Sequence, residues 1–250
     1  LMERFIIELL QQCQHVLGVC RLLNIGWHRV FVVMKKAVAR GFLRRDKLCV
    51  KGIGVDEKAF KKGHNYITVV CDKETGGVIH VAEKRTEESL NEFYNTLDTQ
   101  QKKAIESVSM DMWPAYINAT KKHIPEAKDK IVFDRFHVMK DVNDAVNKTR
   151  RKEHKSLLKD DDERLAKTRF TWLYSEDKLP EKHQAILSEL RDSDLLTAKA
   201  WAMKENLRHL WTMKDKAIAK TDLLAWIAWV KESRITAMIK VAEKIERHID

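Results

Sequence analysis

The sequence predicts a mixed α/β protein in which a set of short strands lies between two helical regions. Three observations support this fold class. Apolar residues recur at helical spacing before about residue 40, five runs typical of strands lie between residues 50 and 133, and strand patterns stop after about Asp141. A chain of 250 residues is long enough for one large domain or two small ones.

Composition and charge exclude several classes of protein. The chain has 47 basic and 37 acidic side chains, and residues 1–50 hold nine of the former against three of the latter, which favours a polyanionic partner. The longest apolar run, Leu223–Val230, has eight residues, too few to span a bilayer. The four cysteines show no metal-binding spacing, so we expect reduced thiols and a cytoplasmic location.

The N-terminal region predicts a helix-turn-helix. Asn24-Ile25-Gly26 interrupts a helical pattern, and a second helix is expected from about Trp27 to Arg40, ending at Gly41. Apolar residues from Trp27 to Val38 share one side of this helix, and basic residues line the other. The candidate DNA-binding residues are Arg29, Lys35, Lys36, Arg40, Arg44 and Arg45. An ordinary helical hairpin with solvated lysines is the alternative.

The middle region has the strand order of an RNase H fold. The predicted strands are Val50–Asp56, Tyr66–Cys71, Val78–Ala82, Val108–Asp111 and Lys130–Phe133. A turn at Asp72–Gly77 joins the second and third strands, Thr86 caps the helix that follows, and Pro114 begins another helix. Three antiparallel strands followed by two parallel ones make up an RNase H-like sheet.

Acidic residues end three of these strands. Asp56 and Asp111 end the first and fourth strands, which are neighbours in such a sheet, and paired carboxylates hold divalent cations. Two such cations catalyse phosphodiester displacement. The alternative for Asp111 is to cap the helix that begins at Pro114. For Asp134 we favour the N-cap of the next helix over metal ligation, with Arg135 and His137 facing solvent or phosphate.

The remainder of the chain is predicted to be helical, over Lys148–Arg169, Leu195–Lys214 and Leu223–Ile249. Tryptophans are expected to fill the core of this part. They are Trp172, Trp201, Trp211, Trp226 and Trp229.

Three blocks of the sequence resemble the DDE transposases of bacterial insertion sequences, in particular the ISL group. The blocks are GIGVDEKAFKKGHNYITVVCD (52–72), SVSMDMWPAYINA (107–119) and KIVFDRFHVMKDVNDAVNKTRR (130–151). The resemblance implies a small helix-turn-helix domain (1–46), an RNase H-like catalytic core (47–143) and an all-helical insertion (144–250). By position, Asp56 and Asp111 match the first two acids of the catalytic triad, and Asp134 and His137 match an Asp-x-Phe-His block that is an auxiliary candidate.

The resemblance also implies cofactors and partners. These are Mg²⁺ or Mn²⁺ held by Asp56 and Asp111, and double-stranded DNA as transposon terminal inverted repeats and target. A homo-oligomer on DNA and a nucleoid-associated location in a bacterial cytoplasm are expected, without a membrane partner.

The sequence departs from the family pattern in two places. It lacks the family's N-terminal Cys/His zinc-binding domain, and it lacks the Asn-Gly-x-x-Glu-Gly motif that carries the third acid. We therefore expect a fragment, truncated at both ends, that binds DNA with little strand transfer. Glu205, Glu232, Glu243 and Glu246 are interpreted as solvated surface acids rather than substitutes for the third acid. The alternative function is a catalytically inactive, sequence-specific DNA-binding protein derived from a transposase.

Overall fold

A computed structural model describes residues 1–13, 15–44, 49–61, 63 and 65–249, with Lys61 described by its backbone alone. The chain divides into two compact units, Leu1–Val50 and Lys51–Asp250. Among the described residues no helix is both long and apolar enough to cross a lipid bilayer.

The N-terminal unit contains helices α1 (Met2–Cys13), α2 (Val16–Leu23) and α3 (Trp27–Leu43). The first predicted helix is therefore two helices, because the side chain of His15 accepts a hydrogen bond from the Gly18 amide at 2.7 Å and starts α2 anew. Asn24 ends α2 in the left-handed conformation. The predicted end at Gly41 is wrong, since one helical glycine costs only about 1 kcal/mol.

The core of this unit is small. Its buried apolar side chains within the described part are Ile6, Val19, Val30 and Val33. Trp27 and Val38 were predicted on the buried side of α3, but both are exposed. Trp27 instead stacks on Phe31 with ring centroids 4.6 Å apart. The helix thus faces its core through Val30 and Val33, and the predicted apolar side is rotated from the observed one.

The second unit is built around a five-stranded sheet in the order β3-β2-β1-β4-β5. The strands are β1 (Gly52–Lys61), β2 (Asn65–Asp72), β3 (Val78–Glu83), β4 (Ser107–Met110) and β5 (Ile131–Phe133). The first three are antiparallel, and β1, β4 and β5 are parallel to one another. These five predicted strands and their directions are confirmed.

The first strand is longer than predicted. Asp56 was expected to end β1, but the strand continues to Lys61 and Asp56 pairs with Val69 of β2. The strand can continue because its hairpin with β2 extends beyond the part that pairs with β4. Gly54 of β1 lies so close to β2 that an added Cβ would sit 2.9 Å from the Cys71 sulfur.

Short helices connect the last three strands. They are α4 (Glu87–Asn95), α5 (Thr99–Ala104), α6 (Pro114–His123) and α7 (Ala127–Lys130). Thr86 caps α4 and Pro114 occupies the first turn of α6, as predicted. Helix α5 was not predicted, although Asp98 and Gln101 form a capping box there.

Helices α8 to α13 form the rest of the unit. They are α8 (Arg135–Leu157), α9 (Arg169–Leu173), α10 (Glu181–Leu190), α11 (Leu196–Leu210), α12 (Lys216–Glu232) and α13 (Thr236–Glu246). The predicted helix over Leu223–Ile249 is broken, because Arg234 has a left-handed backbone with φ of 61°. Trp172, Trp201 and Trp226 are buried as predicted, whereas Trp211 and Trp229 are exposed.

The predicted boundary at residues 143–144 lies inside α8, which runs unbroken from the end of β5 into the helical part. Likewise, the helix predicted over Lys148–Arg169 is in fact the second half of α8, and it ends at Leu157. One continuous helix therefore connects the edge of the sheet to the helical core.

Candidate functional site

Three aspartates lie at the same edge of the parallel part of the sheet: Asp56 within β1, just beyond its pairing with β4, and Asp111 and Asp134 directly after β4 and β5. Gly54 of β1 pairs with Ser109 of β4, and Asp56 and Asp111 each lie two residues further along their chains. Met110 of β4 pairs with Phe133 of β5, and Asp111 and Asp134 are the next residues. The backbone amide of Asp134 also donates to the carbonyl of Met110 at 2.9 Å. The parallel register therefore aligns the three acids in one row.

Asp56 and Asp111 differ in their surroundings. The Asp56 side chain is 66% exposed, and its Oδ1 accepts a hydrogen bond from the Glu57 amide at 2.8 Å. The Asp111 side chain is 23% exposed and accepts from the Met112 amide at 2.6 Å. Asp111 does not cap α6, whose N-cap is Trp113 without a side-chain cap bond, so that alternative is wrong. Both carboxylates keep lone pairs for a further ligand.

Asp134 caps α8, as predicted. Its Oδ1 accepts a hydrogen bond at 2.8 Å from the amide of Phe136, which lies in the first turn of the helix. Arg135 is exposed, with its guanidinium 5.2 Å from the centroid of the Trp211 ring. The cap leaves the second carboxylate oxygen of Asp134 facing the first turn of α8.

His137 lies between two of the acids. Its Nδ1 is 3.6 Å from Oδ2 of Asp134, and its Nε2 is 3.9 Å from Oδ1 of Asp56. The side chain is only 19% exposed, so the part of the prediction that places it toward solvent is wrong. The reason is its position in the first turn of α8, three residues after Asp134, which directs the ring back toward the row of acids. Nδ1 is buried and makes no hydrogen bond in the described part of the chain.

Lys244 of α13 reaches the same row. Its ammonium is 3.9 Å from Oδ1 of Asp111 and 2.8 Å from Oδ2 of Asp141 on α8. Sequence reasoning missed both Lys244 and Asp141. For Lys244 no local signal exists, because its partner Asp141 is 103 positions away in the chain.

An arginine and two aromatic rings flank the acids. Arg85 forms a 2.9 Å ion pair with Glu57, which follows Asp56, and its guanidinium lies 4.2 Å from the ring centroid of Trp113, two residues after Asp111. Its distance from the Tyr66 ring centroid is 5.0 Å. The Trp113 indole in turn donates to the Arg85 carbonyl at 3.2 Å. Arg85 thus connects the segments that carry Asp56 and Asp111.

Tyr116 lies beneath this cluster. Burial raises the pKa of its hydroxyl, which is 2.9 Å from the Thr68 hydroxyl of β2. Because a buried hydroxyl pair of this kind fixes α6 against the sheet, the turn that carries Asp111 has a rigid support.

Within the described residues, no three His, Cys, Asp or Glu side chains lie close enough to hold a metal ion together. The four glutamates considered as third acids differ from one another. Glu232 and Glu243 are exposed and Glu246 pairs with Lys231 at 2.6 Å, in agreement with solvated surface positions. Glu205 is buried instead, where it accepts from Arg208 at 2.7 Å and lies 3.1 Å from Nζ of Lys204, so its interpretation as a solvated acid is wrong.

The basic residues of the N-terminal unit lie on α3. Arg29 and Lys35 are exposed, and Arg44 forms the C-terminal cap. Lys36 and Arg40 are 3.8 and 3.9 Å from the two carboxylate oxygens of Glu3 on α1. Arg45 lies outside the described residues. Two of the predicted DNA-binding side chains therefore have an acidic neighbour within their own unit, although exposed pairs of this length contribute little stability.

A family model described as transposase, of the DDE type and the ISL3 group, matches residues 53–250, which includes the row of acids and the whole helical part. The chain belongs to the ISL3-type DDE transposases. Its sequence is 25% identical over 255 residues to the transposase for insertion sequence element IS1557 of Mycobacterium tuberculosis, strains CDC 1551 / Oshkosh and H37Rv. It is 26% identical over 243 residues to the transposase for insertion sequence element IS1001 of Bordetella parapertussis.

These matches cover most of this chain but not most of the relatives. They include 92% and 96% of the present chain, and 57% and 59% of the IS1557 and IS1001 transposases. The chain therefore spans less than two thirds of the length of the ISL3-type transposases that it matches.

Proposed function

We propose that this chain carries two catalytic carboxylates of a transposase that cuts insertion-sequence ends and joins them to target DNA. The observation that carries the proposal is the alignment of Asp56, Asp111 and Asp134, where the parallel pairing of β1, β4 and β5 ends. Strand order β3-β2-β1-β4-β5 supports an RNase H-like core around them. The activity requires acids from different parts of the chain at one edge of a rigid sheet, which this register provides.

The donor set suits a hard divalent cation, Mg²⁺ or Mn²⁺, because carboxylate oxygens are the ligands such ions prefer. Asp56 and Asp111 would hold it. When bound, it supplies activation of the attacking oxygen and stabilisation of the leaving oxygen. The 66% exposure of the Asp56 side chain leaves this carboxylate open to an ion and to a phosphodiester from solvent.

The other residues of the site have supporting roles. Asp134 directs the first turn of α8 by capping it, and His137 holds its ring between Asp134 and Asp56. Arg85 orients the segments next to Asp56 and Asp111 through Glu57 and Trp113. Lys244 places a positive charge beside Asp111, where it offsets the repulsion between neighbouring carboxylates.

For the N-terminal unit we propose DNA binding through a helix-turn-helix formed by α2 and α3. The exposed Arg29 and Lys35 and the weakly paired Lys36 and Arg40 support this, because exposed cations on one helix contact phosphates and base edges. In the variant with Arg29, Lys36 and Arg40 replaced by Ala we expect weaker binding to the inverted-repeat duplex and a smaller dependence on salt. Unchanged affinity and salt slope would contradict this docking.

The transposase is proposed to act as a homo-oligomer on DNA in the bacterial cytoplasm, associated with the nucleoid, since two transposon ends are joined in one reaction.

The catalytic proposal is tested first by ion binding. Mn²⁺ binding to the full chain, followed by electron paramagnetic resonance, should weaken at least about tenfold in both Asp56→Ala and Asp111→Asn, because each removes a proposed ligand. The matched control is Asp129→Asn on α7, an exposed aspartate away from the row of acids, which should bind Mn²⁺ like the wild type. Equal Mn²⁺ affinity in all three variants would overturn the assignment.

Strand cleavage gives the second readout. With a duplex that carries the inverted repeat of the encoding element, we expect DNA binding and little strand transfer by these 250 residues alone. Metal-dependent cleavage that Asp56→Ala abolishes would show that this expected inactivity is wrong. Tight sequence-specific DNA binding that does not depend on Mg²⁺ and is unchanged in Asp111→Asn would instead indicate a non-catalytic DNA-binding protein.

A further inference from the structure

We propose that the groove between α8 and α13 binds the sugar–phosphate backbone of one DNA strand next to the row of acids. This inference rests on the proposed function, since it assigns a second DNA contact to the same catalytic unit. The groove encloses about 790 Å³. It begins where Lys244 of α13 meets Asp141 of α8, and Lys244 also reaches Asp111 at 3.9 Å. One end of the groove therefore lies next to Lys244, which connects it to the proposed catalytic carboxylate of Asp111.

The groove is elongated along the helices. On α8 its lining residues recur every three or four positions, from Asp141 through Lys148 to Lys152, so they form a line along one side of the helix. This line is about 16 Å long at about 1.5 Å per helical residue. Successive phosphates lie farther apart along the backbone of one strand than the axial rise of about 3.4 Å, so this length accommodates fewer than about five nucleotides.

The charge of the groove favours a polyanion. Four exposed cations line it: Lys148 and Lys152 from α8, Arg234 from the turn before α13, and Lys240 from α13. None of the four forms an ion pair with any side chain in the ranges that the structure describes. These cations are therefore available to phosphates, which attract such side chains through release of counterions.

The acids of the groove are mostly engaged. Glu153 accepts hydrogen bonds from the Leu196 amide at 2.6 Å and from the Thr197 amide and hydroxyl at 2.8 and 2.6 Å, so it caps α11. Asp141 is bound by Lys244 at 2.8 Å. Asp144 is thus the one exposed acid among the described lining residues without such a partner, compared with four exposed cations. The free charge of the groove is thus positive along its length.

The shape of the groove favours a single backbone over a whole duplex. The axes of packed helices lie about 8–10 Å apart, which is less than the diameter of one helix with its side chains. The groove between two such helices is therefore narrow enough to exclude a double helix and to admit the ridge of one strand. Ala145, Ile235 and Val241 also line the groove, but they are buried, so the exposed cations provide its main contact surface. A backbone contact of this type does not depend on base sequence.

The test measures the salt dependence of DNA binding by the full chain. The probe is a 30-bp duplex of arbitrary sequence, about 100 Å long at about 3.4 Å per base pair, and affinity is followed by fluorescence anisotropy from low to high KCl. In the groove variant, Lys148, Lys152, Arg234 and Lys240 are replaced by Ala. We expect weaker binding and a log–log salt slope smaller by about 3.6, because each of the four lost phosphate contacts removes about 0.9.

Two control variants separate the effect of losing the groove's cations from the effect of lowering the net charge of the protein. Replacing Lys103, Lys122, Lys128 and Lys182 by Ala removes the same charge from exposed positions on α5, α6, α7 and α10, and should change the slope by less than about 1. Lys148, Lys152 and Lys240 changed together to Arg should retain the wild-type slope. The replaced side chains are exposed, so the thermal midpoint of each variant should match that of the wild type.

The outcomes separate this inference from the proposed function. The groove variant could behave like the charge-matched control, while the variant with Ala at Arg29, Lys36 and Arg40 no longer binds DNA. In that case the groove assignment is overturned and the DNA-binding proposal stands. If the wild type binds no duplex at all, both are overturned. If the groove variant instead changes the mass measured by light scattering without DNA and leaves the salt slope unchanged, the groove is a protein interface and the assignment is overturned.

Discussion

The two units of this transposase differ in how their charged residues are supported. In the N-terminal unit, the described core consists of four buried side chains, Ile6, Val19, Val30 and Val33. The basic residues of α3 lie on the surface around this core. In the second unit, the row of acids lies on or directly after strands whose residues Ile53, Val108 and Met110 are buried. The proposed DNA contacts of the first unit therefore rest on a small core, whereas the carboxylates proposed as catalytic lie on a sheet with a large one.

This difference has a physical reason. Phosphate contacts tolerate motion of long lysine and arginine side chains, because Coulomb attraction falls off slowly with distance. Carboxylates that share a metal must be held to a fraction of an ångström, and only rigid elements achieve that. The hydrogen bonds at Asp56, Asp111 and Asp134, each to a backbone amide one or two residues further on, fix these side chains in place.

The largest effect is expected in the helical core of the second unit. Trp226→Ala should lower the free energy of unfolding by about 3–5 kcal/mol, because it empties a fully enclosed site and leaves the Met203 carbonyl without its 2.8 Å donor. The matched control is Trp229→Ala on the same helix, where the side chain is 42% exposed and the expected loss is below about 1 kcal/mol. The free energy of unfolding is measured by chemical denaturation. Equal losses in the two variants would show that burial does not determine how much each tryptophan contributes to stability.

An intermediate effect is expected in the N-terminal unit. Val30→Ala should cost about 2 kcal/mol through lost burial and a residual cavity. Because the unit is small, that loss should raise hydrogen exchange throughout residues 1–44 and leave residues 65–249 protected. Val38→Ala, at an exposed position of the same helix, serves as control. Faster exchange in the sheet as well would mean that the two units unfold together.

The smallest effect concerns acid pH. Burial lowers the pKa of His80 on β3, and Glu92 offsets part of this. The folded state therefore binds a proton less readily than the unfolded state, so stability is fully present above pH 6.5 and is lost as the pH falls from there through the folded pKa. His80→Gln should reduce this loss, whereas His28→Gln at an exposed position of α3 should not. Parallel stability–pH curves for wild type and His80→Gln would contradict the assignment.

Local signals predicted much of the fold. The turn at Asp72–Gly77, the cap at Thr86 and the proline at the start of α6 each act within a few residues, and the structure contains all of them. The end of β1 was wrong because strand length depends on the partner: β2 continues to pair where β4 does not. The break at Arg234 was missed because an arginine with positive φ has no sequence signal.

The candidate site was predictable in its carboxylates and not in its cations. Asp111 could be found because it directly follows a strand pattern, and Asp56 because an apolar strand pattern leads up to it, although β1 continues past it to Lys61. His137 had a usable signal, three residues after a capping aspartate, which directs it toward the cap. Glu205 was misplaced because its burial depends on Lys204 and Arg208, and its segment looks like any charged helix.

The contact of Lys244 with Asp141 has a consequence for the order of folding. It joins residues 103 positions apart, whereas contacts within α1, α2 and α3 span a few dozen at most. Loops of that length close late, so the N-terminal unit is expected to fold quickly and early during synthesis, and the row of acids is expected to acquire its neighbouring lysine only after α13 has left the ribosome. The electrostatic environment of the carboxylates is therefore completed by a helix that is made only after α8 to α12.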